Sequence, residues 1–348
     1  MSRDQGAEPI VVEPAADDSP SGASPGGRRR SSAVSTLTAR AGAGDASFAA
    51  LARGSAVFIL ILMASIAAFL VFQALTAIKA DQSNFLTEFT WDPDGNNSNG
   101  VAHFGIAAIA WGTLLTSVIG LLIGAPVAIG VALFITQYAP RRIAQGLGYL
   151  IDLLAAVPSV VYGLWGLLFL DNHMAGISKL LNSVLGWIPV FQVNGTFGSS
   201  YFTAGIVLAI MLLPIVAAIS REVYLQTPRE HIEAAHALGA TRWEVIRLAV
   251  IPHGRSGVSS AVVLGFGRAL GETIAVALVL STNYKLVTHI LEPGGNTIAA
   301  NIALQFGDAG TVGRGALVAS GLVLFVITLL VNYAARAIVR RGSRKAEA

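Results

Sequence analysis

The sequence predicts an all-α, polytopic membrane protein with six transmembrane helices, and three observations lead there. Hydrophobic residues make up 54% of the 348-residue chain and charged residues only 12%, against about 25% charged in an ordinary soluble domain. Mean hydropathy is +0.65. The apolar residues gather in runs of roughly 20 or more, the length a helix needs to cross about 30 Å of hydrocarbon. With no cysteine in the chain, disulfides and thiolate metal sites are excluded. The net charge of +3 is small, and the placement of the basic residues speaks of orientation rather than of nucleic acid.

Residues 1–50, rich in Ser, Gly, Ala, Asp and Pro and carrying GGRRRSS, are predicted to be a disordered cytoplasmic tail, because nothing in them repays the entropy of ordering. The permease-like body is expected over 51–341 and a short cytoplasmic tail over 342–348. The first span is predicted at 55–78, too long and too far from the N-terminus for a signal peptide and without a cleavage pattern after it. A polar stretch, 79–103, follows. The second span lies within 104–136, where Gly112, Gly120, Gly124 and Gly130 offer close approach to neighbouring helices and Pro126 predicts a kink or break. The third, 147–170, contains Pro158 with Gly163 and Gly166 beyond it. A polar stretch over 171–200 includes ISKLLNSVLGWIPVF, read as an interfacial helix and turn. The fourth span is 201–220 with Pro214, the fifth 256–282 and the sixth 316–339, with a charged loop over 221–255 and a polar stretch over 283–315.

Positive charge tests this arrangement. Lys79, Lys179, Lys285 and Arg314 fall on one side and Arg268 within the membrane, and every other Lys and Arg falls on the opposite side. The positive-inside rule then places both termini and the charged loop in the cytoplasm.

Within that loop, Glu230, Glu233, Ala234, Ala237 and Leu238 recur at helical spacing, Gly239 permits a turn, and Thr241 with Glu244 three residues later is a capping-box signature for a second helix. Pro252 is expected to halt that helix. The result is a compact knob at the membrane surface, either an ordinary amphipathic loop or a docking element with Ala234 and Ala235 small enough to enter a partner's cleft. Further on, Arg268 and Glu272 stand four apart and are expected on one helical face. A charge facing lipid is strongly unfavourable, so the pair is either a buried ion pair holding helices together or part of a path in which the Arg268 fork binds an oxyanion and Glu272 orients it. Thr273, beside them, and Ser159 and Tyr162, beside Pro158, are weaker candidates for the same path, since a hydroxyl there commonly bonds nearby backbone. Gly265, Gly267 and Gly271 offer close helix approach along the same run. No GxxxxGK[ST] loop occurs, and His231 and His236, five apart, do not share a helical face well. ATP hydrolysis, where coupled to this chain, therefore belongs to other subunits.

The spacing of Glu233, Ala234, Ala235, Gly239 and Pro252 resembles the EAA loop of ABC-importer permeases, with Ala249 and Ile251 departing mildly from its usual Ile and Leu. The segments at 111–140, 157–166, 213–246, 267–279 and 296–309 together are similar to the phosphate-importer permeases, over most of the chain after residue 85. That resemblance implies a type I (MetI-like) permease fold in a bacterial cell membrane and no cofactor in this chain. It also implies a coupling helix docked into an ATP-binding subunit, with ATP and Mg²⁺ held by two copies of that subunit. A homologous second phosphate permease, an extracytoplasmic phosphate-binding protein and inorganic phosphate complete the implied set of partners. The alternatives are a permease for sulfate, molybdate or another oxyanion, and an ion-driven anion symporter.

Overall fold

Glycines set how closely the two central helices approach. In the computed structural model, which describes residues 43–96, 98, 100–193 and 195–344, helix α2 (Ala107–Leu133) packs along α6 (Tyr201–Leu225). A Cβ on Gly120 would lie 2.8 Å from Leu208 Cβ, and one on Gly124 would lie 2.9 Å from the Ala209 carbonyl oxygen. Only a bare backbone fits there, and in lipid such close packing replaces the hydrophobic drive between helices. Gly112 is equally crowded, against Asn296 and Tyr201, whereas a Cβ on Gly130 would meet nothing.

The chain has two compact units, Met1–Phe58 and Ile59–Ala348. The described part of the first is the opening of α1 (Ala43–Ala80), which is already helical inside the stretch predicted to be tail and exposes Phe48, Leu51 and Val57. Residues 1–42 and 345–348 of the predicted tails lie outside the described residues. The second unit continues with a two-residue ribbon, β1 (Trp91–Asp92) against β2 (His103–Phe104), then α2, α3 (Arg141–Ala155), α4 (Ser159–Trp165) and α5 (Asp171–Leu185). After α6 come α7 (Arg229–Ala237), α8 (Arg242–Val245), α9 (Ile251–Leu270), α10 (Ile274–Val279), α11 (Ile298–Gln305) and α12 (Thr311–Arg344).

Among the described residues, four helices are long and apolar enough to cross a membrane: α1, α2 with the π-turn Phe134–Tyr138, α6 and α12. A fifth span is added if α3 and the run Ser159–Leu185 are taken together, although they meet at 91°. Length and composition thus identify four to five candidate spans among the described residues, against the six predicted. The predicted third span is split because Pro158, lacking an N–H, starts a new helix after Ala156 ends the amphipathic α3. The predicted interfacial piece is largely an extension of α4, carried through the π-turn Gly166–Leu170 into α5. Pro126 and Pro214, by contrast, sit inside unbroken helices. The predicted fifth span breaks after Leu270.

The three polar stretches converge on one end of the bundle. Asp94 accepts hydrogen bonds from the Gly310 and Gly313 amides, at 2.8 and 2.9 Å, and so places a carboxylate at the N-terminus of α12. Trp91 stacks on Tyr284, with ring centroids 6.2 Å apart. Ile290 donates its amide to Val190 O and accepts from Phe202 N, both at 3.0 Å, while Gly294 N donates to Ser199 O at 2.9 Å. Stretches that come from three separate places in the sequence thus form one cap.

Candidate functional site

Helix α7 follows Pro228 and has no buried residue. It ends in a Schellman turn: Gly239 N donates to His236 O at 2.9 Å and Ala240 N to Ala235 O at 3.1 Å. Gly239 has φ +82, a left-handed conformation that glycine adopts without strain. The expected capping box then starts α8, with Thr241 N donating to Glu244 Oε2 at 2.7 Å and Glu244 N to Thr241 Oγ1 at 3.4 Å. The Thr241 amide and hydroxyl, both donating to the Glu244 carboxylate, hold it below its ordinary value, the backbone bond contributing most. Beside this turn, Ala234, Ala235, Leu238, Leu248, Pro252 and His231 line a groove of about 530 Å³. Leu238 is 90% exposed at its rim and Trp243 is exposed nearby. Glu233 is exposed on the same helix. Apolar side chains thus cluster on an exposed surface beside the turn.

Pro252 does not halt the second helix, as its sequence position suggested. The backbone widens into a π-turn over Ile246–Val250, and Pro252 falls in the first turn of α9, where a missing N–H costs little. Helix therefore runs without interruption from Arg242 to Leu270, roughly 43 Å at 1.5 Å per residue. One end of this rod belongs to the knob and the other carries Arg268.

Arg268 and Glu272 do not share a helical face, contrary to the four-residue spacing. Helix α9 stops at Leu270, where Gly271 and the polar side chains that follow favour an end over another turn. Glu272 lies in the gap, 9% exposed, and its Oε1 accepts the Ala275 amide at 3.3 Å, so it caps α10. Arg268 is exposed, and among the described residues it forms no ion pair with Glu272. Thr273 donates to Gly271 O at 3.1 Å, the local bond expected of it. Beyond the gap, α10 rests on the glycine face of α4: a Cβ on Gly163 would lie 2.7 Å from Ala275 Cα, and one on Gly166 would lie 3.0 Å from Val279 Cγ2. Two motifs distant in sequence, VPSVVYGLWG and GRALGETIAVALV, thus meet. Tyr162 packs against the cluster that holds Ala275 and Val276. Its hydroxyl donates to Leu154 O at 2.9 Å, across the α3–α4 bend. Ser159 is partly buried in the first turn of α4.

The sequence reading missed a buried polar network under the cap formed by the three polar stretches. Asn301, fully buried, accepts at Oδ1 from the Tyr284 hydroxyl at 2.9 Å and from Asn296 Nδ2 at 3.1 Å. Thr113 of α2 accepts the Ile298 amide at 3.0 Å, which ties α11 into the bundle. Burial pushes the Tyr284 phenol above its ordinary value. The signal available beforehand was Asn296 and Asn301 bracketing an apolar turn, with Thr113, Thr116 and Ser117 on one face of an apolar helix.

This architecture is a helical membrane bundle with an exposed helical knob continuous with an internal helix. Residues 120–344 match the family of binding-protein-dependent transport system inner membrane components. Over 310 residues, 88% of this chain and 94% of the relative, the sequence is 45% identical to the phosphate transport system permease protein PstC 2 of Mycobacterium tuberculosis. It is 39% identical over 306 residues, 86% and 92% of the two chains, to the phosphate transport system permease protein PstC of Xylella fastidiosa. The chain belongs to the PstC family of phosphate transport system permeases. A solved bacterial ABC transporter involved in the import of the acidic polysaccharide alginate has the same fold, at 18% identity and a TM-score of 0.55, over 86% of this chain and 96% of that one.

Proposed function

We propose that this chain forms half of the translocation path of an ATP-driven inorganic phosphate importer and couples that path to its ATPase subunits. The observation that carries the reading is the unbroken helix from the knob to Arg268, in a chain 45% identical to a phosphate permease. The complete assembly pairs this chain with a homologous second permease, two copies of an ABC ATPase that hold ATP and Mg²⁺, and an extracytoplasmic phosphate-binding protein. Six crossings, α1, α2, α4–α5, α6, α9 and α12, put both termini in the cytoplasm. The convergence of the three polar stretches at one end supports this. The domain division then follows, with a cytoplasmic tail before about residue 50, the permease body to 341 and a short cytoplasmic tail after it.

In the proposed cycle, nucleotide binding draws the two ATPase subunits together, and the surface around Glu233, Ala234, Ala235 and Gly239 moves with them. The rod from Arg242 to Leu270, with Pro252 just past its π-widened turn, carries that motion inward. Arg268 then presents a bidentate donor fork to the oxyanion. Glu272, Thr273, Ser159 and Tyr162 line the same region around the break between α9 and α10. The test is uptake of labelled phosphate into vesicles holding the full assembly, with and without ATP and with competing anions. ATP-dependent uptake inhibited by unlabelled phosphate is expected. Inhibition by sulfate or molybdate but not phosphate, or uptake driven by an ion gradient without ATP, would overturn the reading.

A further inference from the structure

A groove between α9 and α12, apolar over most of its lining with Val263 and Leu264 but carrying several polar side chains, has no part in the mechanism so far. It encloses about 560 Å³, and its walls include Ser256, Ser260 and Gly267 from α9 and Asn332 and Arg336 from α12. The three α9 positions form one stripe, since steps of four and seven return to the same helical face. Asn332 and Arg336 are one turn apart on α12. A Cβ on Gly267 would lie 3.8 Å from Asn332 Oδ1, so the amide stands opposite the upper end of the stripe, next in sequence to Arg268. From there to Ser256 the groove descends roughly 16 Å of helix toward the knob end.

Its chemistry is that of an oxyanion passage. Among the described residues neither Asn332 nor Arg336 has a hydrogen-bond or ion-pair partner in the chain, and no carboxylate lines the groove. An unpaired amide and a guanidinium turned to acyl chains are unfavourable, so this face looks onto water or protein. The Ser260 hydroxyl donates to Ser256 O at 2.9 Å. The free donors are therefore the Ser256 hydroxyl, the Asn332 amide and the Arg336 fork, a set rich in donors and positive in charge.

We propose that this groove is the inner segment of the phosphate route, with Asn332 and Arg336 as a second station below Arg268. The proposal rests on the reading of the chain as a phosphate permease and deepens it. Because the chain has no cysteine, Ser260→Cys and Asn332→Cys each give this subunit a single thiol. In inside-out vesicles carrying the whole assembly, an anionic methanethiosulfonate is expected to modify either thiol faster than a cationic one. Adding Arg336→Gln is expected to slow the anionic reagent by roughly fivefold, the effect of about one unit charge at contact in water, and to speed the cationic one in the same measure. Inorganic phosphate should slow the reaction. Arg336→Gln alone should lower phosphate uptake with the ATPase still co-purifying, and Arg336→Lys should restore part of it.

Thiols unreactive from the cytoplasmic side, or a charge preference indifferent to Arg336→Gln, would overturn the proposal. So would protection by anionic phospholipid but not by inorganic phosphate, which would make the groove a headgroup site. If the unsubstituted assembly moves no phosphate at all in the same vesicles, the functional reading fails instead of the groove alone.

Discussion

Replacing Gly239 with Ala isolates the backbone geometry of the coupling turn from everything around it. A Cβ at this position would meet no atom within 4 Å, so the substitution introduces no clash. Only the left-handed φ of +82 is penalised, by about 1–2 kcal/mol for a residue with a Cβ. That strain acts on the Schellman turn, whose bonds are Gly239 N to His236 O and Ala240 N to Ala235 O. The closed turn should therefore open about 5- to 30-fold more often. Amide hydrogen exchange at Ala240 reads this directly, and Gly239→Asn, which tolerates the left-handed region better, should recover much of the protection. The affinity of the ATPase subunit for the assembled permease pair should fall by no more than the same factor. Unchanged exchange at Ala240 in the Ala variant, or equal exchange in the Ala and Asn variants, would refute the argument that this turn is held by its glycine.

Arg268→Ala is expected to abolish most ATP-dependent phosphate uptake while the ATPase still co-purifies, and Arg268→Lys to restore only part, since an ammonium lacks the planar fork; equal loss of assembled complex would assign Arg268 to packing. Tyr162→Phe should leave the KM for phosphate unchanged and lower thermal stability by about 0.5–1.5 kcal/mol, the usual worth of one such bond, because the hydroxyl is committed to Leu154 O; a raised KM would place the hydroxyl on the path. Glu244 has a lowered carboxyl value, so its contribution to the capping box is present above its ordinary pKa of 4.5 and lost as the pH falls through the lower folded-state value. Exchange at the Thr241 amide, which donates to the Glu244 carboxylate, should accelerate only in that acid window, and Glu244→Gln should remove the pH dependence.

What the sequence made legible is what neighbours in the chain decide. The capping box at Thr241 and Glu244 and the turn at Gly239 lie within a few residues of the groups they bond, and both formed as read. The apolar runs of α1, α2, α6 and α12 were visible for the same reason. The break after Leu270 was not, because Gly271, Glu272 and Thr273 can continue or end a helix. The choice rests on α10 settling against Gly163 and Gly166, more than a hundred residues earlier. The three prolines show the same limit: Pro158 ends one helix and opens another at 91°, while Pro126 and Pro214 stay inside helices. Asn301 drew no notice because its partners, Tyr284 and Asn296, come together only when α11 folds under the cap formed by the three polar stretches.

In the proposed cycle, these misread places determine where motion is absorbed. The rod from Arg242 to Leu270 has continuous helical bonding, so displacement at the knob reaches Arg268 with little loss. Past Leu270 the chain is held by a few long bonds, Gly271 N to Arg268 O at 3.2 Å, Glu272 N to Ala269 O at 3.3 Å and Ala275 N to Glu272 Oε1 at 3.3 Å. Beyond them, α10 is locked to α4 by backbone contact at Gly163, and bonds of that length yield before such packing does. In that cycle we propose the gap at Gly271–Thr273 as the hinge, with Arg268 moving relative to Glu272 rather than together with it. An unbroken helix carrying both residues would keep their separation fixed throughout the cycle. The break lets the carboxylate approach and leave the guanidinium, which is the change an oxyanion needs in order to be held and then released.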